Sequence, residues 1–325
     1  SFVVSTATDN PKAGNVIVSK TNTTDVVLLK FTVKNDSDVS ATINKASTTI
    51  TVNAAATGTA ADIRNLVTAI ELYDGSTMLQ SVAPAFAATS STTTIDGLED
   101  TVYVANDVKW ENFTLPIAAN TTKTLTIKAV LASVQDTALV GEGGEFIKAD
   151  KFTMQGVDAN SNVVGVTNNP LEGKTQRIFL KAPVFALGTV SFTATGSSDN
   201  PQSIGNAKIG LSITAQGGSD IYVSSDPTKT YLMVVRGSST TSSSTAFTCT
   251  SGAFDETDKY RIPAGTTASC ELNGVIDLKD SSQTGHYQLQ VGKITWNTSA
   301  TTTGEVQQTW GWDDFKTGLL YLKTT

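Results

Sequence analysis

Histidine occurs once in this sequence, cysteine twice and methionine three times. One imidazole and two well-separated thiols cannot assemble a four-ligand zinc site. His286 stands beside Gly285 at the start of an expected strand, with no cysteine near it in sequence, and no G-x-S-x-G elbow occurs anywhere. A strand-end histidine is therefore expected rather than a member of a triad. Asp313 and Asp314 are adjacent, so on a strand they point to opposite faces and cannot act as an acid and base pair. No catalytic residue and no cofactor is assigned. Charge is also scarce, at 16% of residues, and its balance is acidic, with a formal net charge of −7. A nucleic-acid binder must neutralise phosphates with clustered lysine and arginine, and no such cluster is present. No apolar run approaches the roughly eighteen residues that span a bilayer, and no basic amphipathic helix suggests a surface anchor.

Asp158–Asn162, DANSN, opens like a calcium loop but carries Val163 where glycine is needed and Asn169 where the closing glutamate belongs. Between KFTMQGV and VVGVT it reads as a hairpin turn. A peripheral calcium ion on that loop is the one metal the sequence leaves open.

What the chain has in quantity is Ser and Thr, roughly a quarter of all residues, around short runs of Val, Ile, Leu and Phe. That suits sheets with one face buried and the other covered by threonine. DVVLLKFTVKN places Val27, Leu29, Phe31 and Val33 on one face and Lys30, Thr32 and Lys34 on the other. In HYQLQVGKITW the apolar phase changes at Gly292, which predicts a bulge. Only Ala56–Leu66 suggests a helical turn.

Cys249 and Cys270 lie in neighbouring strand-like segments, and a disulfide between them implies an oxidising compartment. Closing a loop of that size stabilises by about 3 kcal/mol in the chain-entropy account. Two buried free thiols are the competing reading. Five N-x-S/T sequons, at Asn22, Asn35, Asn112, Asn120 and Asn297, are candidate glycosylation sites, although this Ser/Thr content produces about that many by chance.

The chain also repeats itself. Ser1-Phe2 and Asp9-Asn10-Pro11 recur at Ser191-Phe192 and Asp199-Asn200-Pro201. Ile117–Leu131, IAANTTKTLTIKAVL, matches Ile262–Ile276, IPAGTTASCELNGVI, setting Cys270 on Leu125. Lys151–Met154 matches Lys293–Trp296, and Arg177–Lys181 matches Leu319–Lys323. The spacing between copies falls from 190 to 145 to 142 residues, which places an insertion of about 45 in the first copy between Val39 and Ile117. It contains VTAIELYDGSTMLQSVA, a hairpin around Asp74-Gly75. The expected fold is all-β: two tandem β-sandwich domains of immunoglobulin-like or jelly-roll type, related by duplication. The first covers 1–183, with an extra hairpin at about 60–90, and the second covers 184–325.

Trp310 and Trp312, two residues apart in WGWDDF, are expected to cover the sandwich core or an inter-domain seam, since large aromatics are more often packed than displayed. The alternative is that they share one face of a strand and form a platform for sugar rings.

The end of the first copy runs through APVFALGTV into SFTATG, and the chain's own ends resemble an interrupted version of that junction. Copies are therefore expected to stack head to tail, a contact that does not close and so builds a filament. The first copy has nothing matching Pro183–Val190, so one of its sheets is expected to be a segment short, open to a strand from a neighbour. The candidate contact strands are Ser1, Phe2, Val3 and Val4 at one end and Leu319, Leu320, Tyr321 and Leu322 at the other.

In its Thr-rich strands, scarce charge, IPAGTT turn and tandem sandwiches the chain resembles prokaryotic cell-surface proteins, the subunits of pilus-like or thread-like fibres and of S-layers. The resemblance implies a secreted, extracellular, non-enzymatic structural role with the chain itself as partner. It departs from some of these proteins in having no L-P-x-T-G sorting signal and no N-terminal apolar helix. The first residue is Ser and already reads as strand, so a leader is expected to have been removed upstream. The alternatives are an S-layer component or a glycan-binding adhesin using Trp310 and Trp312, with a secreted carbohydrate-active enzyme a distant third.

Overall fold

The computed structural model describes residues 2–53, 63–87, 90–95, 98–134, 145–166, 171–196, 202–237 and 242–324. Ser1 and the Asp199-Asn200-Pro201 match lie outside them. The chain forms two compact units, Ser1–Leu180 and Lys181–Thr325. Both are almost entirely β.

Unit 1 contains β1 (Phe2–Thr6), β2 (Gly14–Ile17), β3 (Thr24–Asn35), β4 (Ala41–Asn53), a single helical turn α1 (Ile63–Leu66), β5 (Val67–Asp74), β6 (Thr77–Val82), β7 (Ser91–Ile95), β8 (Leu98–Ile117), β9 (Thr122–Leu131), β10 (Phe146–Asp158), β11 (Val163–Val166) and β12 (Gln176–Phe179). One sheet runs β1-β3-β9-β5-β6; the other runs β2-β12-β10-β4-β8-β7, with β11 also on β10. The sheets face each other. Phe31 of β3 meets Phe152 of β10 at 4.4 Å between ring centroids, and Trp110 Nε1 on β8 donates to the Ile70 carbonyl on β5 at 3.2 Å. Successive long strands cross between the two layers, so the core is built from residues far apart in sequence.

Unit 2 contains β13 (Ala182–Thr195), β14 (Ile204–Gln216), β15 (Ile221–Ser224), β16 (Tyr231–Arg236), β17 (Ser242–Ser251), β18 (Phe254–Glu256), β19 (Lys259–Ile262), β20 (Thr267–Asp277), β21 (Gly285–Asn297), β22 (Val306–Gln308) and β23 (Leu320–Leu322). Its sheets are β13-β14-β20-β17 and β16-β21-β15-β19-β18, the latter with β22 and β23 also on β21. Phe247 of β17 meets Tyr260 of β19 edge-on at 5.7 Å across the layers.

The two units share much of their pairing. Phe31 lies opposite Leu125 where Leu211 lies opposite Cys270. Ala41 lies opposite Ile117 where Ile221 lies opposite Ile262. Leu72 faces Ile127 as Phe247 faces Leu272, and Met154 faces Val166 as Trp296 faces Val306. Ile147 on Val52 is matched by Leu289 on Val234, so β4 corresponds to β15 and β16 together, interrupted in unit 2 by the loop 225–230. The turns before β9 and β20 are built alike. In each a threonine, Thr121 or Thr266, gives both its N–H and its hydroxyl to the carbonyl three residues back, across a left-handed Asn120 or Gly265.

Three expectations are corrected by this register. Phe2 pairs with Asn35, and the residue in that place in unit 2 is Pro183, on Ala215, not Phe192. The SF…DNP match is thus out of register, and β1 fills the place expected to be empty in the first copy. Ala182 and Pro183, expected to close the first domain, open β13. Finally, β5 has a counterpart in β17, and β18 ends its sheet beside β19 as β7 does beside β8, so the extra material of unit 1 is β6 and the longer first part of β8 rather than the whole β5–β6 hairpin.

Local chemistry accounts for the details. Gly75, at φ +59°, lets β5 turn into β6 in two residues. The bulge at Gly292 is present: Tyr231 pairs with Lys293 and Leu232 with Val291, leaving Gly292 over, so that Val291 and Ile294 both reach the core. A second bulge, between Val27 and Leu29 on β3, moves the phase there. Val26 and Leu28 are buried instead of Val27, before Leu29, Phe31 and Val33 resume the expected face.

Candidate functional site

The residues singled out in the sequence are dispersed rather than gathered. Trp310 and Trp312 are 3% and 2% exposed and lie in an irregular segment, where Gly311 at φ +85° reverses the chain. Trp312 packs edge-on against Phe185 and Phe315 and donates through Nε1 to the Gln308 carbonyl at 3.1 Å. Neither indole can stack on a sugar, so the platform alternative is overturned and the packed reading agrees with the structure: large aromatic faces gain more from burial than from display. Asp313 and Asp314 lie in the same turn rather than on a strand. His286, exposed on β21, meets the Tyr321 ring edge-on at 5.1 Å between centroids.

Both ends of the described chain are paired within their own units, β1 on β3 and β23 on β21, so neither is a free strand awaiting a partner. Cys249 and Cys270 form a disulfide across directly opposed positions of β17 and β20. Asp158 makes the hairpin turn: its Oδ1 accepts from the Asn160 and Asn162 amides and its Oδ2 from Asn162 Nδ2. These bonds, Asn162's side chain first, hold its carboxyl below the usual range. Among the described residues no group of three or more His, Cys, Asp and Glu is placed to hold a metal ion.

The sequons divide by burial. Asn35 is 2% exposed and gives its Nδ2 to the carbonyls of Val39, Ile117 and Ala118. Asn297 is 6% exposed, with Nδ2 on the Thr301 and Thr303 carbonyls, both at 2.8 Å. An amide so sealed cannot be glycosylated in the folded state. Asn22, Asn112 and Asn120 are exposed. Expression in a glycosylating host is therefore expected to place glycans on these three alone, read by glycopeptide mass spectrometry. Full occupancy of Asn35 or Asn297 would show modification before folding.

One concavity has the form of a site, and sequence reading missed it. It lies in unit 2 where the 225–230 loop, the turn before β19 and the 298–305 loop converge on the end of β21, enclosing about 400 Å³. Its walls are cross-braced. Lys229 Nζ bridges both oxygens of Glu305 at 3.0 and 2.7 Å, and Thr295 Oγ1 donates to the Lys229 carbonyl at 2.7 Å. Ser225 N–H donates to the Asp258 carbonyl at 3.0 Å, and Lys259 reaches the Ala300 carbonyl. Asp226 Oδ1 accepts from Thr228 N and Oγ1, each at 2.8 Å; the backbone bond foremost, these hold its carboxyl below the usual range. Asp258 is exposed on the rim in a left-handed conformation, φ +60°. Unit 1 has a concavity beside the matching strand, about 450 Å³, lined by residues such as Thr153 and Gln155 that occupy the positions of Thr295 and Asn297. It lacks the wall supplied by the 225–230 insertion.

A charged pair in unit 1 also escaped the sequence. Arg177 is fully buried over the Phe146 ring, 5.3 Å from its centroid, and burial pushes the neighbouring Glu145 carboxyl upward. It joins β12 to β10, where Arg177 is paired with Phe146.

No family model matches the chain, and no curated protein does. A solved structure titled "BspA_C_mut" aligns over 99% of this chain and 98% of its own, at 9% identity and a TM-score of 0.18, too low to support a shared fold.

Proposed function

We propose that the chain is a secreted, non-enzymatic structural subunit of a prokaryotic cell surface that assembles head to tail into a filament. The single observation behind this reading is a pair of open sheet edges, one on each unit. β1 ends the first sheet of unit 1, and β16 ends a sheet of unit 2. The strand matching β16 in unit 1, the second half of β4, is covered by β8. No described strand forms a ladder with the far side of β16, where the Leu232 N–H is capped by Thr245 Oγ1 of β17 at 3.3 Å and the rest of the edge is left for a partner. Both edges carry exposed apolar side chains: Val3 at 48%, Met233 at 44% and Val235 at 39%. Such edges invite pairing with another chain. Joining β16 of one copy to β1 of the next uses two different surfaces, so the contact propagates instead of closing. The disulfide supports an oxidising, extracellular setting, and the Thr-covered outer faces suit it.

The protein at high concentration is expected to show threads by negative-stain electron microscopy and polydisperse mass by light scattering. Lysine at both Val3 and Val235 places like charges on the two edges and is expected to leave monomers with an unchanged melting temperature. A monodisperse wild-type monomer rejects polymerisation; threads that survive the double variant move the contact elsewhere.

A further inference from the structure

We infer that the braced concavity of unit 2 binds a saccharide. This does not depend on whether copies polymerise. Its volume, about 400 Å³, falls within the range of small-ligand pockets and accommodates one or two sugar rings. Its lining offers donors and acceptors of every kind within one space: the phenol of Tyr222, hydroxyls of Ser299 and Thr302, the ammonium of Lys259 and the carboxylate of Asp258. A polyol, whose hydroxyls both give and accept, satisfies such a mixture; an apolar ligand would leave it unpaired.

Other ligand classes fit less well. A phosphate group needs net positive charge, yet Asp226, Asp258 and Glu305 outnumber Lys229 and Lys259, and Lys229 is already neutralised by Glu305. The indole of Trp296 offers a nucleobase no face to stack on, being 1% exposed with its Nε1 committed to Gln308.

Two further observations point the same way. The site is pre-organised, since the bonds from Lys229, Thr295 and Asn297 fix its walls before any ligand arrives, which lowers the ordering cost of binding. It also stands where the two units depart from a shared plan. Unit 1 carries β4 straight past this point, whereas unit 2 breaks the equivalent strand into β15 and β16 and uses the inserted loop as a wall. The insertion supplies a wall that the more open concavity of unit 1 does not have.

The test is a glycan array carrying host-type oligosaccharides in one arm and bacterial-envelope polysaccharide fragments in the other, probed with the full chain, followed by calorimetric titration of the best hit. Three variants accompany it. Ser299→Trp fills the mouth from an exposed position, Asp258→Asn keeps a residue tolerant of the left-handed backbone, and Glu111→Ala alters only the groove of unit 1. Expected are a loss of tenfold or more for Ser299→Trp, a loss of at least threefold for Asp258→Asn, and unchanged affinity for Glu111→Ala, with all three retaining the wild-type melting temperature. The arm that binds identifies the source of the sugar. No binding in either arm at millimolar ligand overturns the inference, as does binding indifferent to Ser299→Trp or abolished by Glu111→Ala.

Discussion

Replacing Cys249 and Cys270 together by alanine is expected to lower the stability of unit 2 by about 3 kcal/mol, equivalent to a fall of about 10 °C in its melting temperature. The residues are 21 apart in sequence, and their bond closes a loop containing β18, β19 and the turn into β20. Without it the unfolded chain regains the freedom of that loop. The strands around the bond are poorly placed to compensate. β17 is the last strand of its sheet and has β20 as its only partner in the sheet order, and β18 has three residues. Urea unfolding followed by circular dichroism, with and without reductant, measures the effect. A reduced wild type that melts with the alanine variant confirms that the cross-link, not the lost sulfur volume, is responsible; no change on reduction would show that β17 is held by packing alone.

Trp110→Ala is expected to cost about 3–5 kcal/mol, the range for removing a large buried aromatic. Trp110 is fully buried, and its indole N–H bridges the two sheets through the Ile70 carbonyl. It also lies in the part of β8 that has no counterpart in unit 2. The extra segment of unit 1 is thus part of the core, which a merely decorative addition would not be. Trp110→Phe retains most of the apolar contact and loses the hydrogen bond, so its cost should fall near 1–2 kcal/mol. Equal losses for the two variants would assign the whole effect to that bond. Circular dichroism in urea is the suitable readout, because removing an indole alters fluorescence directly.

What could be read in advance was what depends on local chemistry. The alternation of β9, the turn at Gly75, the bulge at Gly292 and the opposed cysteines all follow from a few neighbouring residues. Three of the four internal matches fall on strands with equivalent partners, because a buried strand and the turn feeding it constrain their own residues. The SF…DNP match misled because a five-residue edge strand such as β1 is constrained on one side only, and Ser, Phe and Asp-Asn-Pro fit many edges. Val27 was misplaced because a one-residue bulge reverses every side chain before it, and nothing in VVLLKF marks where the extra residue sits. The burial of the tryptophans agrees with the packed reading, but their irregular backbone was not foreseen, because W-x-W reads as strand and Trp312 packs against Phe185, more than a hundred residues away. The concavity was illegible for a related reason: its walls are loops that converge only once β15, β19 and β21 are paired.

One arrangement has a mechanical meaning. In unit 1 the first segment is divided, with β1 on one sheet and β2 on the other, where β2 runs parallel to β12, the last strand of the unit. Tension drawn out through the two ends of unit 1 would pull β2 and β12 past each other lengthwise, loading their rungs from Gly14 to Val18 at once instead of unzipping them singly. Unit 2 keeps its first strand whole, antiparallel to β14, and among its described residues no parallel pairing of first and last strands occurs. The two halves of the chain would therefore yield to stretching at different forces, the first holding after the second has given way.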